Sequence, residues 1–203
     1  TGISIFLTGK AGTGKTTFLR TLKEKSSKRS VIVAPTGVAA INAGGMTIHS
    51  FFQLPLSPFV PEASIKNRFD YSKEKRKIMR TLDLLIIDEI SMVRSDVLDA
   101  IDSVLRRFRE HDKPFGGVQL LMIGDLQQLT PVVTPEEERL LQRYYDTPYF
   151  FGSKALRSIN YVTIELMHVY RQQDDRFITL LNNIREGRVS ETDLLKLNER
   201  YDP

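Results

Sequence analysis

The run Gly9-Lys10-Ala11-Gly12-Thr13-Gly14-Lys15-Thr16 fits G-x-x-x-x-G-K-[ST] without a mismatch. Its flanks narrow the fold further. Residues 3–7 are short, apolar and β-branched, the pattern of a buried strand, and residues 15–25 read as a helix. A strand that turns through glycines into a helix points successive N–H groups at phosphate oxygens, and the helix N-terminus adds partial positive charge. The pattern assigns Gly9, Ala11, Gly12, Thr13, Gly14, Lys15, Thr16 and Thr17 to a nucleoside triphosphate cradle. Within it Lys15 is placed to reach the β- and γ-phosphates of ATP, and Thr16 to hold magnesium.

Further strands are expected at 31–34, 84–87, 119–123 and 161–165, with helices at 38–42, 93–110, 136–144 and 176–186. Strands alternating with helices predict an α/β fold, a central and mostly parallel sheet with helices on both faces. In the longest helix Val93, Val97, Leu98, Ile101, Val104, Leu105 and Phe108 form the apolar face, and Asp and Arg residues take the other. The longest irregular stretch runs from Gln53 to about Ser72 and holds Pro55, Pro58 and Pro61. At 203 residues the chain is expected to be a single domain, 1–203. Its start inside a strand pattern and its polar end, 198–203, read as a fragment of a longer protein.

Composition removes several chemistries. With Cys 0 there is no disulfide, thiolate metal site or Cys nucleophile, and His49, His111 and His168 are too scattered for a histidine zinc site. No apolar run reaches the ~18–20 residues of a membrane span, and no basic-then-apolar leader opens the sequence. An intracellular protein without a membrane partner is expected, in bacterial cytoplasm or, in a eukaryote, nucleus or mitochondrion. The net charge of +4 permits nucleic acid without requiring it.

A second acidic feature refines the chemistry. Leu84-Leu85-Ile86-Ile87-Asp88-Glu89 is an apolar strand ending in two carboxylates. Asp88 is placed to hold the magnesium ion and Glu89 to orient and deprotonate an attacking water, which favours hydrolysis over transfer to a second substrate.

Three more segments accompany these: Ala34-Pro35-Thr36-Gly37-Val38-Ala39-Ala40, Thr47-Ile48-His49-Ser50-Phe51, and Gly124-Asp125-Leu126-Gln127-Gln128-Leu129-Thr130-Pro131. Together with the glycine loop and the Asp-Glu strand end they resemble motifs I, Ia, Ib, II and III of superfamily-one helicases. Their order and wording resemble the Pif helicase family, in its RecD-like branch, and Val169-Tyr170-Arg171-Gln172-Gln173-Asp174 resembles that family's motif IV. The resemblance covers essentially the whole chain, about Ile3 to Tyr201, and departs at Thr130, where the family more often has proline.

The resemblance implies a RecA-like P-loop NTPase domain, the first of two in an ATP-dependent DNA helicase that moves 5′ to 3′ and serves genome maintenance: repair, recombination and telomere upkeep. It makes Gln128 the γ-phosphate sensor and water-orienting group, links that sensor to the DNA side through Gly124-Asp125, and makes Arg171 the arginine finger. It places Pro35, Thr36, Gly37, His49, Ser50 and Phe51 against single-stranded DNA, with forked or tailed duplex as further partner. Phe51 and Phe52 have an alternative reading as core, and a lone His is often structural.

The basic stretch Lys66, Arg68, Lys73, Lys75, Arg76, Lys77, Arg80 reads equally as part of a DNA track or as a solvated helix face. Motifs V and VI are not found, so the second motor domain is expected to lie outside this monomeric fragment, which alone is expected to be weak or inactive. The alternative function is a P-loop ATPase acting as a protein-partner switch. A small-molecule kinase would need an Arg-rich lid and no Gln128-type sensor.

Overall fold

A computed structural model describes residues 2–60, 71–170 and 174–199. In chain order the elements are β1 (Ser4–Gly9), α1 (Lys15–Lys25), β2 (Ser30–Ala34), α2 (Gly37–Ala43), β3 (Met46–Thr47), α3 (Ile48–Phe52) and α4 (Lys73–Thr81). They continue with β4 (Leu84–Ile87), α5 (Ser95–Phe108), β5 (Gln119–Gly124), α6 (Pro135–Leu141), α7 (Lys154–Arg157), β6 (Tyr161–Leu166), α8 (Asp175–Arg185) and α9 (Glu191–Asn198). The six strands form one sheet in the order β3-β2-β4-β5-β1-β6. Every strand pairing among the described residues is parallel.

The two-residue period of the strands divides the core into two layers. Phe6, Val33, Leu85, Ile87, Leu120 and Met122 point to one face, where α3, α4, α5 and α7 cover them. Leu7, Ile32, Leu84, Ile86, Leu121 and Ile123 point to the other, against Leu19 of α1 and Ala43 of α2. A parallel strand covered on both faces carries apolar residues at every position, as β4 does: all four of its residues are buried. The α/β fold with helices on both faces is therefore as the sequence predicts.

Caps account for several helix limits. Thr36 accepts a hydrogen bond from the Ala39 N–H to open α2, and Gly44 closes it with φ 66°. Thr47 caps α3 in the same way through the Ser50 N–H. The longest helix is shorter than the sequence suggests, starting at Ser95, because Val93 still belongs to a tight turn after β4.

Its polar side is not simply solvated. Asp96, Asp99 and Asp102 recur every third residue and are buried. Each takes a backbone N–H from a different segment: Phe59 to Asp96 at 2.9 Å, Ala155 at the start of α7 to Asp99 at 3.0 Å and Phe115 to Asp102 at 2.5 Å. Helix α5 thus anchors three connections that would otherwise hold unsatisfied donors.

Because the strands run in parallel, their carboxyl ends share one edge. In such sheets that edge is where ligands bind. The segments following β1, β2, β4 and β5 are among those that the sequence singles out.

Candidate nucleotide and strand-binding site

The loop between β1 and α1 has the backbone its glycines permit. Gly9, Gly12 and Gly14 have φ values of 152°, 81° and 89°. A Cβ at Gly9 would lie 2.7 Å from the Leu166 carbonyl oxygen, so the loop closes against the end of β6. Inside the turn Thr13 is buried and its hydroxyl donates to the Lys10 carbonyl at 2.9 Å. The first turn of α1 contains no acidic residue to compete for an anion.

The Lys15 ammonium donates to the carbonyls of Gly9 at 2.5 Å and Lys10 at 3.0 Å. Burial lowers its pKa, while the carboxylates of Asp125, Glu89 and Asp88 act to raise it. Phosphate oxygens entering the loop would offer that ammonium charged acceptors in place of neutral carbonyls.

A pocket of about 350 Å³ opens over this loop. It is lined by Ala11, Gly12, Gly14, Lys15, Thr16 and Thr17 from the loop and helix, and by Glu89, Gln128 and Tyr170 from three other segments. Gly9 and Thr13, also expected in the cradle, are not among the lining residues: Gly9 accepts from Lys15 and Thr13 is buried inside the turn. Asp88 sits behind Glu89, with its backbone N–H donating to Val33 at 2.9 Å and its carboxylate accepting from the Glu89 N–H at 3.0 Å. Burial raises the pKa of Asp88; for Glu89 burial comes first and the neighbouring Asp88 charge adds to it.

Among the described residues no three His, Asp or Glu side chains converge into a self-sufficient metal cage. Thr16 and Asp88 suit magnesium instead, which takes one or two protein oxygens and completes its shell with phosphate and water.

Gln128 reaches the pocket from the loop after β5. Its side-chain amide donates to Asp125 Oδ2 at 3.0 Å, and the Gln127 N–H donates to Asp125 Oδ1 at 3.1 Å. Gly124 lets that loop approach the turn after β4: a Cβ there would meet Ile90 Cγ2 at 2.8 Å and the Ser91 N at 3.1 Å. The turns carrying Glu89 and Gln128 are therefore in direct contact.

Two features of the site, one lining the pocket and one behind it, escape the sequence reading. Tyr170 is 70% exposed, lines the pocket and donates its backbone N–H to the Gly12 carbonyl at 2.8 Å. Arg185 of α8 grips Asp125 through both terminal nitrogens, at 2.6 and 2.7 Å. Tyr170 had a signal in its place before Arg171; Arg185 had none, being 60 residues from its partner. Arg171 itself lies outside the described residues.

The other named segments meet at the neighbouring strand ends. Pairing of Ala34 with Thr47 brings Pro35, Thr36 and Gly37 beside α3. Gly37 and Ser50 are exposed, and Pro35, Thr36 and His49 are partly so. Burial, with the Arg94 guanidinium nearby, holds the His49 pKa below its ordinary value, against the pull of Asp96.

Phe51 is a correction. It is 3% exposed, packed edge-on against Phe52 at 4.8 Å, and is not available to stack on a base. Ile48, Phe51 and Phe52 follow the i, i+3, i+4 spacing of a core-facing stripe, which turns His49 and Ser50 outward. Of the basic stretch, Lys66 and Arg68 lie outside the described residues. Lys73, Arg76, Lys77 and Arg80 are exposed on α4, and Lys75 donates to the Ser50 carbonyl at 2.7 Å.

A parallel sheet with a glycine phosphate loop after β1, an acidic pair after β4 and a glutamine loop after β5 defines a RecA-like P-loop domain. The PIF1-like helicase family profile matches residues 1–194, and the chain belongs to that family.

The Candida albicans ATP-dependent DNA helicase PIF1 is 39% identical over 93% of this chain, which spans 21% of that protein. A crystal structure of Bacteroides Pif1 bound to single-stranded DNA superposes with a TM-score of 0.95 at 47% identity, covering 99% of this chain and 47% of that one. A second Bacteroides Pif1 structure, in complex with ADP-AlF3 and single-stranded DNA, gives a TM-score of 0.94 at 47% identity, over 98% of this chain and 46% of that one. The chain thus spans under half of each solved relative and about a fifth of the fungal protein.

Proposed function

We propose that this chain is the first motor domain of an ATP-dependent DNA helicase, hydrolysing ATP at the β1–α1 loop to drive movement along single-stranded DNA. The observation that carries the reading is convergence: Lys15, Glu89 and Gln128, from three separate strand ends, line one pocket. The candidate strand-binding segments occupy the adjoining ends of β2 and β3. Relatives named as ATP-dependent DNA helicases, and relatives solved with single-stranded DNA and with ADP-AlF3, support the assignment.

In this reading the loop N–H groups and Lys15 bind the β- and γ-phosphates, and Thr16 and Asp88 hold magnesium. Bound there, the metal neutralises charge on the phosphate oxygens. Glu89 accepts the proton of the attacking water, and Gln128 orients that water with its side-chain carbonyl oxygen while Asp125 holds its amide nitrogen. The exposed Tyr170 ring offers a flat apolar face for a base at the pocket mouth, and Arg171 is the candidate arginine finger. Pro35, Thr36, Gly37, His49 and Ser50 hold the DNA backbone through hydroxyl, imidazole and main-chain groups, contacts that do not read sequence. Movement from 5′ to 3′, action on forked or tailed duplex, a second motor domain, a monomeric state and an intracellular role in genome maintenance belong to the same proposal.

The test is ATP hydrolysis by the full-length protein with and without single-stranded DNA. DNA is expected to stimulate hydrolysis in proportion to site occupancy. Hydrolysis indifferent to DNA but responsive to a protein partner would overturn the motor reading in favour of a switch.

A further inference from the structure

Helix α8 touches both loops that face the phosphates. One turn before its end, Asn182 accepts a hydrogen bond from Lys10 of the phosphate loop at 2.8 Å, and Glu186 lies 3.6 Å from the same ammonium. Between them Arg185 forms a two-pronged contact with Asp125, NH1 to Oδ2 at 2.6 Å and NH2 to Oδ1 at 2.7 Å. Asp125 is only 2% exposed. Its oxygens are shared: Oδ2 also accepts from the Gln128 side chain and Oδ1 from the Gln127 N–H. The carboxylate is therefore a junction with Arg185 on one side and the sensor glutamine on the other.

We propose that Arg185 is a positioning residue for nucleotide hydrolysis, fixing the Gln128 amide through Asp125 and so making α8 the strut that aligns the sensor loop with the phosphate loop. The proposal rests on the reading of Gln128 as the water-orienting group. Two arguments support it. The fork matches a carboxylate in a planar geometry that lysine cannot reproduce, so it fixes the rotation of Asp125 as well as its place. Without the guanidinium a buried carboxylate would lose its counter-charge and draw on other donors, the Gln128 amide among them.

The experiment is a double-mutant cycle on DNA-stimulated ATP hydrolysis in the full-length protein, with Arg185→Met, Gln128→Ala and the pair together. Arg185→Met is expected to lower kcat about tenfold or more and to leave KM within about threefold, the mark of a contact that matters in the transition state. In the Gln128→Ala background the same change is expected to alter kcat by less than about twofold, because the group it positions is gone. Arg185→Lys retains the charge but loses the fork, so it supplies a second variant should Arg185→Met fail to fold. It is expected to give an intermediate kcat and the same silence beside Gln128→Ala.

Unchanged kcat in the Arg185 variants, or an equal loss with and without Gln128, would overturn the proposal and mark Arg185 as a structural clamp. If Gln128→Ala alone leaves kcat intact, the assignment of the sensor falls, and this inference falls with it.

Discussion

The backbone of Glu89 lies in the left-handed region, with φ 51° and ψ 45°, immediately after β4. A non-glycine residue held there costs about 1 kcal/mol or more, and such strain persists where the surroundings fix it. The conformation turns the carboxylate out of the strand direction and into the pocket beside Lys15 and Gln128. Glu89→Gln is expected to lower ATP hydrolysis by about 10²–10⁴-fold while leaving nucleotide affinity intact, as turnover and equilibrium binding assays will read. Glu89→Gly is expected to be equally inactive yet more stable by about 1 kcal/mol in denaturant titration, since the strain and the buried carboxylate both disappear.

His49 gives a second residue-level expectation. Burial, with Arg94 facing it and Asp96 only partly offsetting, holds its folded pKa below the ordinary value of 6.5. The unfolded chain therefore binds that proton more readily. Its contribution to stability is complete above about pH 6.5 and is lost as pH falls through the lower folded value. The Tm difference between wild type and His49→Gln should thus shrink or reverse between about pH 7.5 and 5.5.

At the scale of elements, the row Asp96, Asp99 and Asp102 explains how a charged helix can lie inside the fold. Asp99 accepts from the Ser153 hydroxyl at 2.5 Å and from the Lys154 and Ala155 N–H groups at 3.2 and 3.0 Å. Asp99→Ala would leave the Ser153 hydroxyl and the Ala155 N–H buried without this acceptor and is expected to destabilise the protein by about 3 kcal/mol in chemical denaturation. Affinity for an ATP analogue should change little, because α7 and its cap lie away from the phosphate loop.

These aspartates also mark the limit of what a linear reading can reach. Periodicity identifies the apolar face of α5 from local spacing. It cannot distinguish a solvated carboxylate from one whose partner is a loop about 54 residues away, as Ser153 is from Asp99. Elements β3 and α3 were missed for a related reason: two and five residues are too few for a period to declare itself. Helix α4, amid seven basic residues between Lys66 and Arg80, hid a single buried Met79 in its charge.

The molecule as a whole shows why the motifs were legible and their wiring was not. Each motif occupies a strand end, where the chain must turn and where glycine, aspartate and threonine at fixed spacing have local physical reasons. The order β3-β2-β4-β5-β1-β6 is not written in any such segment. It inserts β4 and β5 between strands formed earlier in the chain, and so brings Glu89 and Gln128 to the loop after β1. The clamp from Arg185 to Asp125 follows from that order as well, which is why no spacing announced it. Phe51 went the other way: its place in a recognisable motif drew it to the DNA face, while the packing of α3 puts it in the core.

If the loop after β1 is an ATP site completed by Lys15, titration calorimetry of the full-length protein with a magnesium-loaded, non-hydrolysable ATP analogue tests it most directly. A single saturable site is expected in the wild type, with affinity reduced about tenfold or more in Lys15→Ala. Equal affinity in the two proteins, or no binding to the wild type, would contradict it.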